Sequence, residues 1–317
     1  MTRESRNTLV DSTRREFFIK RLIDRHSISL LISPFVILFC VFIIIPTVAA
    51  VGLSFTYFNT IQPPSIIGLG NYVTLFTEDQ AFMQTVLPNT ILYACVVGAG
   101  GYILSFFMAW SIAQITKVPR TILALILYSP SMTGGVLMVT IWQVMFNGDK
   151  SGYLNAVLLQ LGWISQPVQW LTSTSTLMPI MIVVSLWSSM GVGFLAMLAG
   201  VLGVNRELYE AARIDGVKNR FQEIVYVTIP AIRPQMLFGA IMAIVGTFQN
   251  GSIGVALSGS NPTPGNAGQL VVTHIEDYGF LRYEMGYAAA ISVVLLLLIW
   301  AISKLSRILF SDKDEED

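Results

Sequence analysis

Three clusters of uncharged polar and aromatic side chains interrupt otherwise apolar runs. They are Trp142-Gln143, Trp187-Ser188-Ser189 with Gly191, and Phe248-Gln249-Asn250-Gly251-Ser252. Amides and hydroxyls beside aromatic faces suit a neutral, hydroxyl-rich ligand such as a sugar, replacing its water with hydrogen bonds and ring stacking. The same residue types also hold membrane helices to one another, so interhelical bonding is the competing reading for each cluster. Gln249 and Asn250 carry the most weight, because two adjacent amides facing lipid are costly. No metal set accompanies these clusters: His26 and His274 lie far apart, and Cys40 and Cys95 fall in apolar runs as packing residues.

The other chemistry-bearing stretch is a polar island, Val204 to Pro234. Asn205 is a good N-cap for the helix formers Arg206 to Arg213, with an acid in the first turn. Gly216 stands where a left-handed C-cap ends such a helix. The spacing therefore predicts a helix of about ten residues, roughly 15 Å long. Glu210 and Arg213 lie on its open side, and the small pair Ala211-Ala212 lets another backbone approach closely. A surface helix lying on lipid headgroups and a helix docked into a partner both fit these residues.

The elements that position these residues are set by composition. The chain has 317 residues, 54% hydrophobic and only 12% charged; soluble domains carry about 25% charged residues, so lipid is the main solvent. Net charge is zero, which gives no reason to expect a nucleic-acid partner. Apolar runs predict six spans at about 27–56, 87–115, 121–146, 177–203, 236–257 and 285–305. The first is too long for a signal-peptide core and is read as retained. Residues 57–84 and 258–284 read as loops. Tyr153, Leu154, Val157, Leu158 and Leu161 predict a short interfacial helix, with Trp163 and Trp170 anchoring it at headgroup depth. The N-terminal segment, the 116–120 turn, the island and the C-terminus hold seventeen of the nineteen Lys and Arg residues. The intervening loops hold only Lys150 and Arg282. This alternation predicts that both termini and the island are cytoplasmic.

Every Asp, Glu, Lys and Arg lies outside the predicted spans or at their ends, which weighs against an ion-coupled carrier. No phosphate-binding G-x-x-x-x-G-K-[ST] stretch occurs either. Energy for uphill transport must then arrive through a partner touching a cytoplasmic surface, and the island is the largest such surface between spans.

The island resembles the EAA loop of ABC importer permeases. The carrying residues are Leu208-Tyr209-Glu210-Ala211-Ala212, Ile214-Asp215-Gly216 and Val227-Thr228-Ile229-Pro230, and the form is that of the carbohydrate-uptake branch, which includes the maltose and glycerol-phosphate permeases. The gap from Gly216 to Val227 is one residue longer than the family's usual spacing. Further similarity lies in Ser54-Phe55, Gly68-Leu69-Gly70-Asn71-Tyr72, Asn89-Thr90, Pro130, Trp142, Phe146-Asn147, Gly152-x-Leu154-Asn155 and Gly286-Tyr287-Ala288-Ala289-Ala290. The resemblance covers about residues 30–310.

The resemblance implies half of a permease heterodimer, with two ATP-binding subunits below and an extracytoplasmic solute-binding protein outside. It implies that Glu210, Ala211, Ala212, Asp215 and Gly216 couple to an ATPase groove, Glu210 pairing with a base there. It also raises Trp187, Ser188, Gly191, Gln249, Asn250 and Ser252 as contacts to the transported sugar. ATP and Mg would belong to the partner subunits, so no cofactor and no catalytic residue is expected in this chain. The expected architecture is all-α: a cytoplasmic segment 1–27, a six-span domain 28–310 in the bacterial inner membrane, and an acidic tail 311–317. The expected function is the permease subunit of a sugar or oligosaccharide importer. Import of another solute such as glycerol phosphate is the alternative, followed by an ion-coupled secondary transporter.

Overall fold

The structure, a computed structural model, describes residues 31–133, 135–249 and 251–310, without the side chains of Gln249, Leu309 and Phe310. Expectations for the N-terminal segment, the acidic tail and Asn250 lie outside the described residues.

The described chain separates into Leu31–Leu53 and the residues from Ser54 onward. The first unit is one apolar helix, α1 (Leu31–Leu53). None of its residues is buried within the chain, which suits a helix whose solvent is lipid or a neighbouring subunit.

The second unit begins with a two-stranded antiparallel ribbon, β1 (Thr56–Tyr57) against β2 (Ser65–Ile66), and a helix α2 (Gly70–Thr77). The predicted loop 57–84 is therefore largely folded. Asn71, at the head of α2, explains this: its amide donates to the carbonyls of Ser54 and Thr56, each at 2.9 Å, and Tyr72 donates to the Ser54 hydroxyl. A buried amide with both bonds made pins the chain as it leaves the first span.

The long helix α3 (Phe82–Ala113) is followed by α4 (Lys117–Met132) and α5 (Gly135–Met145), which meet at 96°. The short helix α6 (Tyr153–Gln160) forms where the spacing predicts it. Asn155 on α6 accepts from the Trp170 indole at 2.8 Å and donates to the carbonyls of Asn147, Asp149 and Val168. Trp170 is thus tied inward to this loop, whereas Trp163 is 75% exposed.

The fourth span consists of α7 (Leu177–Trp187) and α8 (Val192–Gly203), bent by 43°. The island then folds as α9 (Arg206–Ile214) and α10 (Arg220–Ala231). From α10 the chain turns 86° into α11 (Arg233–Gln249). After a break come α12 (Ile253–Ser258) and α13 (Val271–Glu276), the latter inside the stretch predicted as loop. The last span is α14 (Met285–Phe310). Three described helices are long and apolar enough to cross a membrane alone, and six spans result if each bent pair counts as one.

The core of this unit lies where α8 packs on both α3 and α11. Small residues permit that approach: a Cβ added at Gly193 would stand 3.0 Å from the Gly239 Cα, so two backbones meet almost without side chains between them. Gly193→Val is expected to cost about 1–3 kcal/mol by overpacking. A lowered melting temperature in detergent would show it. An unchanged one would mean that the helices can part without penalty.

Candidate functional site

The helix breaks at 132–135, 187–192 and 249–253 all border one cavity of about 770 Å³. Backbone freed from helical hydrogen bonding survives at membrane depth only where it faces protein or a polar space, so breaks in the three successive polar-bearing spans are expected to meet. Walls come from α3 through Val97 and Gly101, from the α4–α5 and α7–α8 junctions, and from α11 and α12. No charged side chain lines it among the described residues.

Ser188, Gly191 and Ser252, expected from sequence to face ligand, line this cavity. Trp187 does not: it is 46% exposed and packs edge-to-face on Trp142, with ring centroids 5.3 Å apart. Gln249 ends α11 with its side chain outside the described residues, as is all of Asn250. Gln143, from the first sequence cluster, also lines the wall, and its amide donates to the Ala256 carbonyl at 2.9 Å. Sequence reading missed Ser131, Thr133, Thr140, Ser185 and Thr247, which complete the polar lining. Their only signal was hydroxyl-bearing residues inside apolar runs, and that signal does not say which way a helix faces.

Six of the eight lining hydroxyls share a hydrogen-bonding pattern. Ser131 donates to the Tyr128 carbonyl at 2.8 Å, Thr133 to Ser129, Thr140 to Val136, and Thr247 to Ala243. Ser188 and Ser189 donate to Val184 and Leu186 in the same way. This return bond within one helical turn satisfies the hydroxyl proton locally. Ser185 and Ser252 differ: Ser185 shares a 2.7 Å hydrogen bond with the Tyr93 hydroxyl on α3, and Ser252 donates across 24 residues to a carboxylate oxygen of Glu276 on α13 at 2.9 Å.

The second candidate surface is α9. Asn205 caps it as predicted, its side chain accepting from the Glu207 amide at 3.1 Å. At the other end Gly216 takes φ +97°, a value that favours glycine, and Val217 N–H reaches back to the Ala212 carbonyl while Gly216 N–H bonds that of Arg213. The helix is anchored from beneath. Arg213 and Arg220 both donate to the buried Glu223, at 3.1 and 2.7 Å, and Tyr209 shares a 3.0 Å hydrogen bond with the buried Thr228. Glu210, Ala211, Asp215 and Gly216 face outward, with Ala212 half-buried. Beside them stand bare apolar side chains, Ile214 at 87% and Phe221 at 73% exposure, with Leu208 and Tyr226. A polar helix rigidly held from below and carrying an apolar rim fits a protein partner better than water.

A third polar cluster lies at the start of α3. Asp79 accepts from His274 at 2.8 Å and from Tyr287 at 2.9 Å through one carboxylate oxygen, and from the Phe82 amide through the other. It joins α3, α13 and α14. The sequence did not reveal it, since Asp79 and His274 are 195 residues apart.

Comparison with known proteins places this architecture. Residues 101–311 match the family model described as the binding-protein-dependent transport system inner membrane component. The arabinooligosaccharides transport system permease protein AraP of Bacillus subtilis is 31% identical over 280 residues, 86% of this chain and 85% of that protein. The lactose transport system permease protein LacF of Rhizobium radiobacter is 27% identical, over 86% of this chain and 90% of LacF. A chain from the crystal structure of a bacterial ABC transporter involved in the import of the acidic polysaccharide alginate has the same fold. Its TM-score is 0.74 at 23% identity, covering 92% of this chain and 97% of that one. With three described helices able to cross a membrane alone and up to six spans if each bent pair counts as one, two thirds of its length in one family model, and a relative 31% identical over 86% of the chain, the chain is a multi-pass inner membrane permease and belongs to the binding-protein-dependent transport system inner membrane components.

Proposed function

We propose that this chain is one of two permease subunits of an ATP-driven sugar or oligosaccharide importer. Its cavity forms part of the translocation path, and α9 is its grip on an ATP-binding subunit. A solute-binding protein delivers the sugar on the outer face. The termini and α9 lie in the cytoplasm, in keeping with the clustering of Lys and Arg in those segments. ATP and Mg are held by two partner ATPase subunits, where Glu210 meets a base and Ala211 and Ala212 give close packing.

The observation that carries this reading is the rigid mounting of a bare helix. Pull on α9 passes through Arg213 and Tyr209 to Glu223 and Thr228 on α10, which leads directly into α11 at the cavity wall. A lever of this kind turns closure of an ATPase dimer into rocking of the spans around the cavity. The sugar assignment draws on the neutral polar lining and on the cargo in the names of AraP and LacF.

Purifying the tagged chain from its native host is expected to bring down an ATPase and a second permease. Reconstituted uptake is expected to require ATP and to survive collapse of the proton gradient. Uptake that follows the gradient and ignores ATP sinks this reading in favour of an ion-coupled carrier.

A further inference from the structure

We propose that the cavity discriminates by charge: it takes an uncharged saccharide over one bearing carboxylate, sulfate or phosphate groups, and Glu276 sets that preference. The inference rests on the saccharide reading above and specifies its substrate class.

Hydrogen-bond polarity is the first ground. A serine or threonine hydroxyl has one proton and two lone pairs. Ser185 shares its hydrogen bond with Tyr93, but Ser131, Thr140, Ser189 and Thr247 give their protons to their own backbone, so what they show the cavity is lone pairs. Ser252 does the same by giving its proton to Glu276. Such a wall accepts hydrogen bonds, and a sugar hydroxyl supplies them. The counterweight is Gly135 and Val136, in the first turn of α5, where backbone amides have no helical acceptor. A ligand must therefore both give and take. A hydroxyl does both, while an anionic oxygen only takes and leaves the lone pairs facing its charge.

Charge is the second ground. The sequence has no Lys or Arg between Lys150 and Arg206 or between Arg233 and Arg282, the stretches that supply the α7–α8 and α11–α12 walls. Among the described residues no cation pairs with Glu276, whereas the neighbouring Asp277 is held by Arg282 at 2.7 Å. The Glu276 carboxylate thus stands one hydroxyl behind the cavity surface with its charge uncancelled. At roughly 10 Å and an effective dielectric of about 20, repulsion of one ligand charge is worth on the order of tenfold in affinity.

The test uses the purified complete importer in detergent, without its binding protein. An uncharged trisaccharide and the uronate trisaccharide of the same linkage are titrated against the fluorescence of Trp142 and Trp187 beside the wall. The uncharged sugar is expected to bind about tenfold more tightly. Glu276→Gln, which keeps shape and hydrogen-bonding reach, should narrow the ratio severalfold at an unchanged melting temperature, the lone-pair wall keeping the remainder. A purely structural tie would weaken both ligands alike and leave the ratio as it was, which overturns the proposal. Equal binding of both sugars by the wild type also overturns it while leaving the saccharide path intact. If neither sugar binds, the cavity is not that path, and both readings fall together.

Discussion

Glu210→Lys is expected to lower ATP-driven uptake at least about a hundredfold while the subunit inserts and melts normally. Among the described residues Glu210 makes no hydrogen bond or ion pair, so the chain alone loses nothing by the change. The loss arises at the partner. Reversing one charge in a desolvated contact sets base against base, which costs several kcal/mol. The neighbouring Glu207 serves as the control, because among the described residues its side chain accepts only from Asn205 within the N-terminal turn. Glu207→Lys should cost no more than about 1 kcal/mol through the helix dipole and leave uptake nearly intact. Measuring uptake together with co-purification of the ATPase checks both. Normal transport by Glu210→Lys would mean that α9 meets lipid or water in the working particle.

Asp79→Ala should be the most destabilising single change in the folded unit, at about 3–5 kcal/mol, because it strands buried partners of a charge. The side chains of Asp79 and His274 are 6% and 5% exposed, and Tyr287 and the Phe82 amide lose the same acceptor. Three helices distant in sequence part together. Asp79→Asn keeps an oxygen for two of these donors and should cost less. The pH dependence has a definite sign. Burial pushes the Asp79 carboxyl up, but hydrogen bonds from His274, the Phe82 amide and Tyr287 outweigh it and hold it at about 2 against the usual 3.8. A lowered carboxyl contributes stability in full above its unfolded value and loses it as pH falls toward the folded one. Melting temperature should therefore drop from about pH 4 to pH 2, and Asp79→Ala should lack that part of the acid limb. Identical acid profiles for the two proteins would remove Asp79 from the account of stability.

Much of this architecture was legible without coordinates, for local reasons. Low charge and long apolar runs specify membrane spans because transfer energies add residue by residue. Both ends of α9 were readable because caps depend on a few adjacent residues: Asn205 bonds two positions on, and Gly216 meets a left-handed turn. The motif around Glu210 belongs to the same local class.

The cavity did not follow from the same signals. In a soluble helix the contrast of apolar and polar faces reveals the core, whereas in lipid both faces are apolar and that contrast vanishes. Thus Ser131, Thr140 and Thr247 give no hint in sequence of facing one space, and nothing in the sequence shows that the Trp187 ring packs on Trp142. The breaks that open the cavity converge from separate spans, and each is harmless in lipid only because the others face it. Glu276 behind Ser252, and Asp79 beneath His274, are pairs made by helix packing across tens to hundreds of residues. Chain-local chemistry sets what each helix is, and packing in three dimensions sets what each helix meets.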